Sequence, residues 1–468
     1  MKSHSYPPGP RGIPVVGSAF SFIRNPIGFL QNIASEYGDI VSFRIGLRNF
    51  FLLNHPDYVQ EVLATNPQNF TKGPFLERGK LLLGEGLLTS DGDYHRRQRQ
   101  LSQPAFHRKR IEGFADEMTS CAARTRESWE NGATMDMVKE MMNLTLAIVG
   151  RTTFGTSSES EVNDCCEALT IAMEGWRPLL FPFSQILEKL PLASVRRFYE
   201  ARDRLDGIIF RLINEHRVSG EDRSDFLSML LLARDEQGDG SGMTDVQVRD
   251  EVVTLLLAGH ETMTGVLSWT WYLLSEHPEV EAKLHSEIDT VLAGRLPSLD
   301  DVANLQYTRM VFTEAMRLYP PIWAFGRRAV IDYKIDPYVI PAGALIYLSP
   351  YAMQHHPRYY PDPFHFDPER WTPEARAGRP RFAYFPFGGG PRQCIGEQYA
   401  WLEGVLVIAT LAQKWQMRLV PGHPVELQPL ISLRPKHGMK LRLEERLCCV
   451  LIAPVNVIAA ITYLVNLI

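Results

Sequence analysis

Apolar residues in this chain recur mostly at helical spacing. Helical patterns dominate from Pro26 to Lys414. Alternating, strand-like runs fall near residues 39–53, 328–347 and 416–443. The longest helical pattern opens at Thr244, with Gln247 three residues on, which is a capping-box start. Pro278 ends it. At ~1.5 Å per residue this helix would run roughly 50 Å, enough to cross a whole domain. Its middle, Val252, Val253, Leu255, Leu256, Leu257 and Ala258, is apolar nearly all round, so it should be buried. Further helices are predicted from about Leu305 to Leu318 and from Glu397 to about Trp415. Length alone, at ~100–200 residues per domain, would allow about three domains. No linker, repeat or low-complexity segment divides the chain, and the loosest stretch, Asp235 to Gly242, simply precedes the long helix. The pattern predicts one large, mainly α domain with small β-sheets.

Two polar groups interrupt the apolar middle of the long helix, in Ala258-Gly259-His260-Glu261-Thr262. Ala258 and Gly259 leave room beside the helix. Glu261 and Thr262 call for a use; the bland alternative is a threonine bonded back to its own helix and a glutamate paired elsewhere. A second irregularity is the run Phe387-Gly388-Gly389-Gly390-Pro391-Arg392-Gln393-Cys394-Ile395-Gly396 just before the last long helix. Glycines let backbone N–H groups approach the sulfur, and the helix start adds free donors and partial positive charge. Both favour thiolate. A lone thiolate makes a poor zinc site, which wants about four protein ligands. It makes a good axial ligand for haem iron, with Arg392 reaching a propionate as a charge-assisted partner. A buried structural cysteine is the bland reading.

The full loop resembles the haem-binding segment of the cytochrome P450 family, F-x-x-G-x-R-x-C-x-G. Phe387, Gly390, Arg392, Cys394 and Gly396 fill its five fixed positions. Glu314-Ala315-Met316-Arg317 is similar to the family's E-x-x-R, and Phe366-Asp367-Pro368-Glu369-Arg370-Trp371 to its P-E-R-F segment, with Trp for Phe. The resemblance implies a buried Glu–Arg–Arg network there. Ala258 to Thr262 is similar to the oxygen-binding A-G-x-[ED]-T, with His260 at the variable position and not expected to bind iron. His95 and Arg99 stand where the family often has W-x-x-x-R, and Arg327 aligns with another propionate contact. The resemblance therefore implies the P450 fold and haem b (iron protoporphyrin IX) on Cys394, with His95, Arg99, Arg327 and Arg392 on the propionates. It covers nearly the whole chain up to residue 446, the expected haem domain (1–446).

Composition adds less. With 45% hydrophobic residues and a formal net charge of -5, nothing points to nucleic acid. The six cysteines, Cys121, Cys165, Cys166, Cys394, Cys448 and Cys449, fit neither a disulfide framework nor a zinc site, so a reducing compartment is expected. The N-terminus shows no apolar signal or anchor; a cytoplasmic, bacterial-type enzyme is the expectation. Residues 447–468 are uncharged and largely apolar, and about twenty such residues can span a bilayer. Either this tail anchors to a membrane, or it is a non-native extension or a segment folded onto the body. Pro454, Asn456 and Asn466 count against the anchor.

The resemblance implies a haem-thiolate monooxygenase that inserts one atom of dioxygen into a small apolar substrate, a fatty acid, terpenoid or similar. Thr262 and Glu261 would organise the protonation of oxygen. Expected pocket contributors are Phe75 to Leu88, Trp176 to Phe183, Leu257, Ala258, Ile322 to Phe325 and Ile431 to Leu433. No fused reductase is expected, so electrons would come from a ferredoxin or flavodoxin with its reductase. Arg96, Arg97, Arg108, Lys109 and Arg110 are a candidate docking face. The alternatives are a peroxide-using haem peroxygenase and a non-catalytic haem sensor.

Overall fold

The computed structural model describes residues 6–155, 159–176, 192–235, 238–335 and 337–446. The structure is mainly helical with small sheets. The central element is the helix Asp245–Glu276, 32 residues long. Its predicted capping box is present: Thr244 Oγ1 accepts from Gln247 N at 3.3 Å, and Gln247 Oε1 accepts from Thr244 N at 2.9 Å. A new helix, Pro278–Leu292, starts at the predicted proline. Most of the long helix is buried, as its all-round apolar middle requires. It packs along Met137–Phe154, Ala193–Ser219 and Gln306–Leu318.

A five-stranded sheet lies to one side, with Ile40–Ile45 and Arg48–Leu53 as an antiparallel hairpin. Arg48–Leu53 runs parallel to Leu345–Leu348, which pairs with Phe325–Ala329, and Phe70–Lys72 closes the edge. A three-stranded sheet joins Thr134–Asp136, Lys440–Glu445 and Trp415–Leu419. A short hairpin, Leu427–Pro429 with Leu433–Pro435, reaches the long helix.

One helix is shorter than its pattern. The helix after Cys394 runs Glu397–Ala412, and Trp415 begins a strand instead. There Trp415 is buried at 1% exposure and its Nε1 donates to Arg126 O at 2.8 Å, so strand pairing and burial outweigh the continuing apolar run. No described helix is long and apolar enough to cross a membrane. The tail 447–468 lies outside the described residues, as do residues 177–183 of the expected pocket.

Candidate active site

The cysteine loop is shaped by close approach. Gly388 and Gly390 adopt φ of 71° and 67°, and a Cβ on Gly390 would lie 1.9 Å from Leu63 O. Only glycine fits there. Cys394 N donates to Phe387 O at 2.9 Å, closing the loop. The Phe387 ring packs against Trp401, 5.6 Å between centroids. Gly396 sits at the start of the following helix, and a Cβ there would stand 3.7 Å from Phe106. Cys394 keeps exposed surface, yet burial pushes its thiol up to about 11, against the downward pull of the Gly396 N–H and Arg99. Free surface combined with strong desolvation suits a sulfur that faces a space enclosed by protein, as an axial ligand would.

Around it gathers an excess of positive charge. Arg99 donates to Gln393 O at 2.6 Å, tying the His95 helix (Gly92–Ser102) to the cysteine loop. Arg392 pairs with Asp91. Lys72, which the sequence reading missed, donates to Leu87 O and Ser90 O at 2.6 and 2.7 Å. Arg327 is buried, and its guanidinium donates to Gly326 O but makes no ion pair among the described residues. Burial, then Arg392, depresses it to about 10. Burial, with Arg392 and Arg327, depresses Lys72 to about 7, although Asp91 opposes them. Burial, then Lys72, Arg392 and Arg99, depresses His95 to about 4. The neutral imidazole keeps one N–H to donate. Buried cations without matching anions are costly, so this donor set fits a ligand that brings further carboxylates, as the two propionates of haem do. Neighbouring Arg328 instead reaches Glu77 at 3.1 Å, near the surface.

The long helix shows a break in its burial. Ala258 is exposed, and Leu255, Gly259 and Thr262 are half-buried, while Leu256, Leu257, His260 and Glu261 are buried. Residues 255, 258, 259 and 262 share one helix face, so that face borders interior space. Gly259 serves a second purpose: a Cβ there would meet Val149 at 3.0 Å. Thr262 Oγ1 donates to Ala258 O at 2.7 Å, the back-bond expected of a mid-helix threonine. Glu261 points elsewhere. Its carboxylate accepts from Ser432 Oγ at 2.7 Å and pairs with Arg434. His260 also turns away, with Nδ1 3.0 Å from Thr145 Oγ1. No hydrogen bond joins Thr262 to the cysteine loop among the described residues; the helix face and the loop are separate walls.

Of the expected pocket contributors, Leu88, Ile431 and the whole of Ile322 to Phe325 are half-buried, which suits a cavity wall. Leu257 is core, at 2% exposure, and Leu255 takes its place on the open face. Trp176 and Leu433 are core as well. The basic face is largely neutralised. Arg96, Arg97, Arg108 and Arg110 pair with Asp93, Asp235, Glu112 and Asp222, leaving exposed Lys109 without an ion pair among the described residues.

The predicted Glu–Arg–Arg network forms, with its third arm an ion pair but no hydrogen bond from Arg370 Nε. Arg317 binds Glu314 through two bonds, 2.9 and 2.8 Å, with both side chains fully buried. Arg370 Nε lies 3.5 Å from Glu314. Trp371, where the family's segment has Phe, donates Nε1–H to Glu314 Oε2 at 2.8 Å. Sequence reasoning also passed over Glu403, buried on the helix after Cys394 with neither carboxyl oxygen bonded to a described group. Its burial holds it well above the usual carboxylate range; the signal was an acid in the apolar interior of the helix, past its first turn.

A mainly helical chain with, among the described residues, one exposed cysteine on a glycine-shaped loop and buried cations grouped nearby has the features of a haem-thiolate protein. The cytochrome P450 family profile matches residues 7–442. Cyclooctatin synthase of Streptomyces melanosporofaciens is 40% identical over 92% of this chain and 93% of its own length. Pentalenene oxygenase of Streptomyces avermitilis is 36% identical over 95% and 99%. The solved structure of a cyanobacterial relative, "Retinoic acid bound cyanobacterial CYP120A1", superposes with a TM-score of 0.85 at 26% identity, covering 95% of this chain and all of that one. The chain belongs to the cytochrome P450 family and is a haem monooxygenase, which takes electrons from a redox partner and binds its substrate together with dioxygen.

Proposed function

We propose that the chain oxidises an apolar terpenoid, using haem b held on the Cys394 thiolate. The observation that carries the site is Cys394 itself, with free surface on a glycine-shaped loop beside Arg99, and the buried, ion-pair-free Arg327 in the neighbouring cation cluster. Relatives named for cyclooctat-9-en-7-ol and pentalenene favour a terpenoid over a fatty acid. Bound haem supplies oxygen activation and the attack on an unactivated C–H bond. Cys394 gives up its proton on ligation, and the Gly396 N–H and Arg99 stabilise the sulfur charge. His95, Arg99, Arg327 and Arg392 neutralise the propionates. Phe387, Gly390 and Gly396 shape the loop so that the ring can lie against it. Thr262 lies on the open helix face with its hydroxyl donated to Ala258 O, and Glu261 would join it in ordering water on release from Ser432 and Arg434. Half-buried Leu255, Leu88 and Ile431 form an apolar wall that excludes further water. Residues 1–446 make up the haem domain and 447–468 a separate tail. The enzyme works in the cytoplasm with a ferredoxin or flavodoxin and its reductase.

Cys394→Ala is expected to abolish the thiolate-type spectrum of the reduced carbon monoxide complex. Retention of that spectrum would assign the ligand elsewhere. For the substrate, a terpenoid and fatty-acid panel scored by Soret shift decides: shifts with fatty acids alone would remove the terpenoid assignment.

A further inference from the structure

Behind the cysteine loop the chain makes one wide helical turn. Pro56–Gln60 is α-helical, but Glu61–Thr65 winds as a π-type turn, and Asn66 N donates to Glu61 O five residues back at 2.9 Å. Single turns of this kind are rare and recur at functional sites. We infer, on the haem-thiolate reading of Cys394, that Glu61, Asn66 and Tyr333 hold this turn as a backstop for the cysteine loop. Glu61 and Tyr333 are then positioning residues for the sulfur ligand.

The local sequence favours the widening. Pro67 supplies no N–H, so Leu63 O loses the donor that an α-helix would give it four residues on. Pro67 also disfavours helical geometry at Asn66, which sits at φ -126° and ψ 46°. The Asn66 side chain turns back, and its Nδ2 donates to Glu61 Oε1 at 2.5 Å. Tyr333, on the distant strand Tyr333–Ile335, donates its hydroxyl to the same carboxylate oxygen. Its own oxygen accepts from Asn66 Nδ2 at 2.9 Å, which closes a triangle of three side chains. Tyr333 is buried, and its ring meets Phe70 edge-on with 4.9 Å between centroids. Burial, then the bond to Glu61, pushes its hydroxyl up to about 12, so it remains a donor at neutral pH.

The turn meets the cysteine loop backbone to backbone. An added Cβ on Gly390 would fall against Leu63 O and also lie 2.9 Å from Ala64 Cα. On Gly389 it would lie 3.8 Å from Leu63 Cβ. Leu63 is buried in one cluster with Val59, Phe70, Tyr333 and Phe382, so close packing stands behind it. Within the loop Gln393 N donates to Gly390 O at 3.0 Å, which ties Gly390 to the residue before the sulfur. A change in the width of the turn therefore moves a carbonyl on which this loop rests, with no flexible side chain between them to absorb the shift. The same turn leads to the cation cluster. Asn69 N donates to Asn66 O at 3.1 Å, and the strand Phe70–Lys72 follows directly, carrying Lys72.

The test uses the full-length holoenzyme with Tyr333→Phe, Glu61→Ala and Glu61→Gln. Hydrogen exchange of residues 388–396 should quicken severalfold in Tyr333→Phe and Glu61→Ala. Glu61→Gln keeps an oxygen acceptor for both donors and should hold exchange near the wild-type rate. In mild urea the reduced carbon monoxide complex should lose its thiolate-type spectrum severalfold faster in the first two variants. Their ferric–ferrous reduction potential should shift as well, because the hydrogen bonds around the sulfur move with the loop. If Glu61→Ala does not fold, Tyr333→Phe, which keeps the ring on Phe70, carries the same expectations. Unchanged exchange, spectral decay and potential in these variants would overturn the inference. A lower urea midpoint with unchanged exchange and potential would make the trio a structural brace and overturn its positioning role. Should the wild type show no thiolate-type spectrum, the Cys394 reading fails, while the exchange result still decides whether the turn holds the loop.

Discussion

At the scale of single residues, the site depends on groups whose neighbours set their chemistry. Thr262 shows this most plainly. Its hydroxyl is bonded within its own helix, yet the residue keeps open surface on the cavity face. Neither the haem nor an apolar substrate needs that hydroxyl to bind. Thr262→Ala is therefore expected to retain both Soret and substrate-binding spectra while diverting reductant into hydrogen peroxide. A fall of about tenfold in product per electron pair corresponds to roughly 1.4 kcal/mol. Product, peroxide and reductant consumption measured on one sample check it; unchanged coupling would leave Thr262 a helix residue only. Trp371 offers a second residue-scale test. Its indole N–H meets a buried carboxylate, and hydrogen bonds to charged groups contribute about 1.5–3 kcal/mol. Trp371→Phe should lower the unfolding free energy by roughly that amount with the haem spectrum intact, as read from urea unfolding. An unshifted midpoint would mean that Arg317 and Arg370 satisfy Glu314 without it.

Elements behaved according to how local their causes are. The capping box at Thr244 was legible because both its bonds lie within four residues. The glycine-bound cysteine loop was legible because its shape comes from backbone conformation. The end of the last long helix was not, because the fate of Trp415 is decided by a strand partner near Glu445. The pairing of Glu261 with Arg434 was likewise hidden, since no local pattern announces a contact across the chain. Lys72 joined the cation cluster from a three-residue strand that carries no signal of its own. Contacts between elements also make one stability prediction. Glu251 on the long helix accepts from Leu87 N and Gln98 Nε2 at 3.0 and 3.2 Å. Burial raises it to about 7. Its folded state therefore binds a proton that the unfolded state has already lost. That contribution is present below about pH 4.5 and fades as pH rises through about 7. Glu251→Gln should remove a fall in stability on the order of 1–3 kcal/mol between those limits. The slope of unfolding free energy against pH in both proteins measures it, and identical slopes would refute it.

For the whole molecule, sequence patterning gave a single mainly helical body, and the superposition on family structures matches it over nearly the entire chain. The motifs end at Gly396 and the last described strand at Glu445. Removal of 447–468 should accordingly leave haem content and turnover unchanged. Sedimentation with membranes before and after removal reports on the tail, and loss of the haem spectrum would show it to be part of the fold.

The surplus of positive charge around the cavity has a consequence for how much enzyme a cell can keep. Lys72, Arg99, Arg327 and Arg392 crowd one region with Asp91 as the paired carboxylate. Lys72, Arg327 and Arg392 repel one another, and propionates seated there, as proposed, would relieve that repulsion. A ligand that binds only the folded chain stabilises it by ~4 kcal/mol at a thousand times its dissociation constant. Newly synthesised chain is therefore expected to gain stability as well as activity when haem binds. When haem runs short, proteolysis should thin the population instead of leaving a reserve of empty protein, so that abundance itself tracks haem supply.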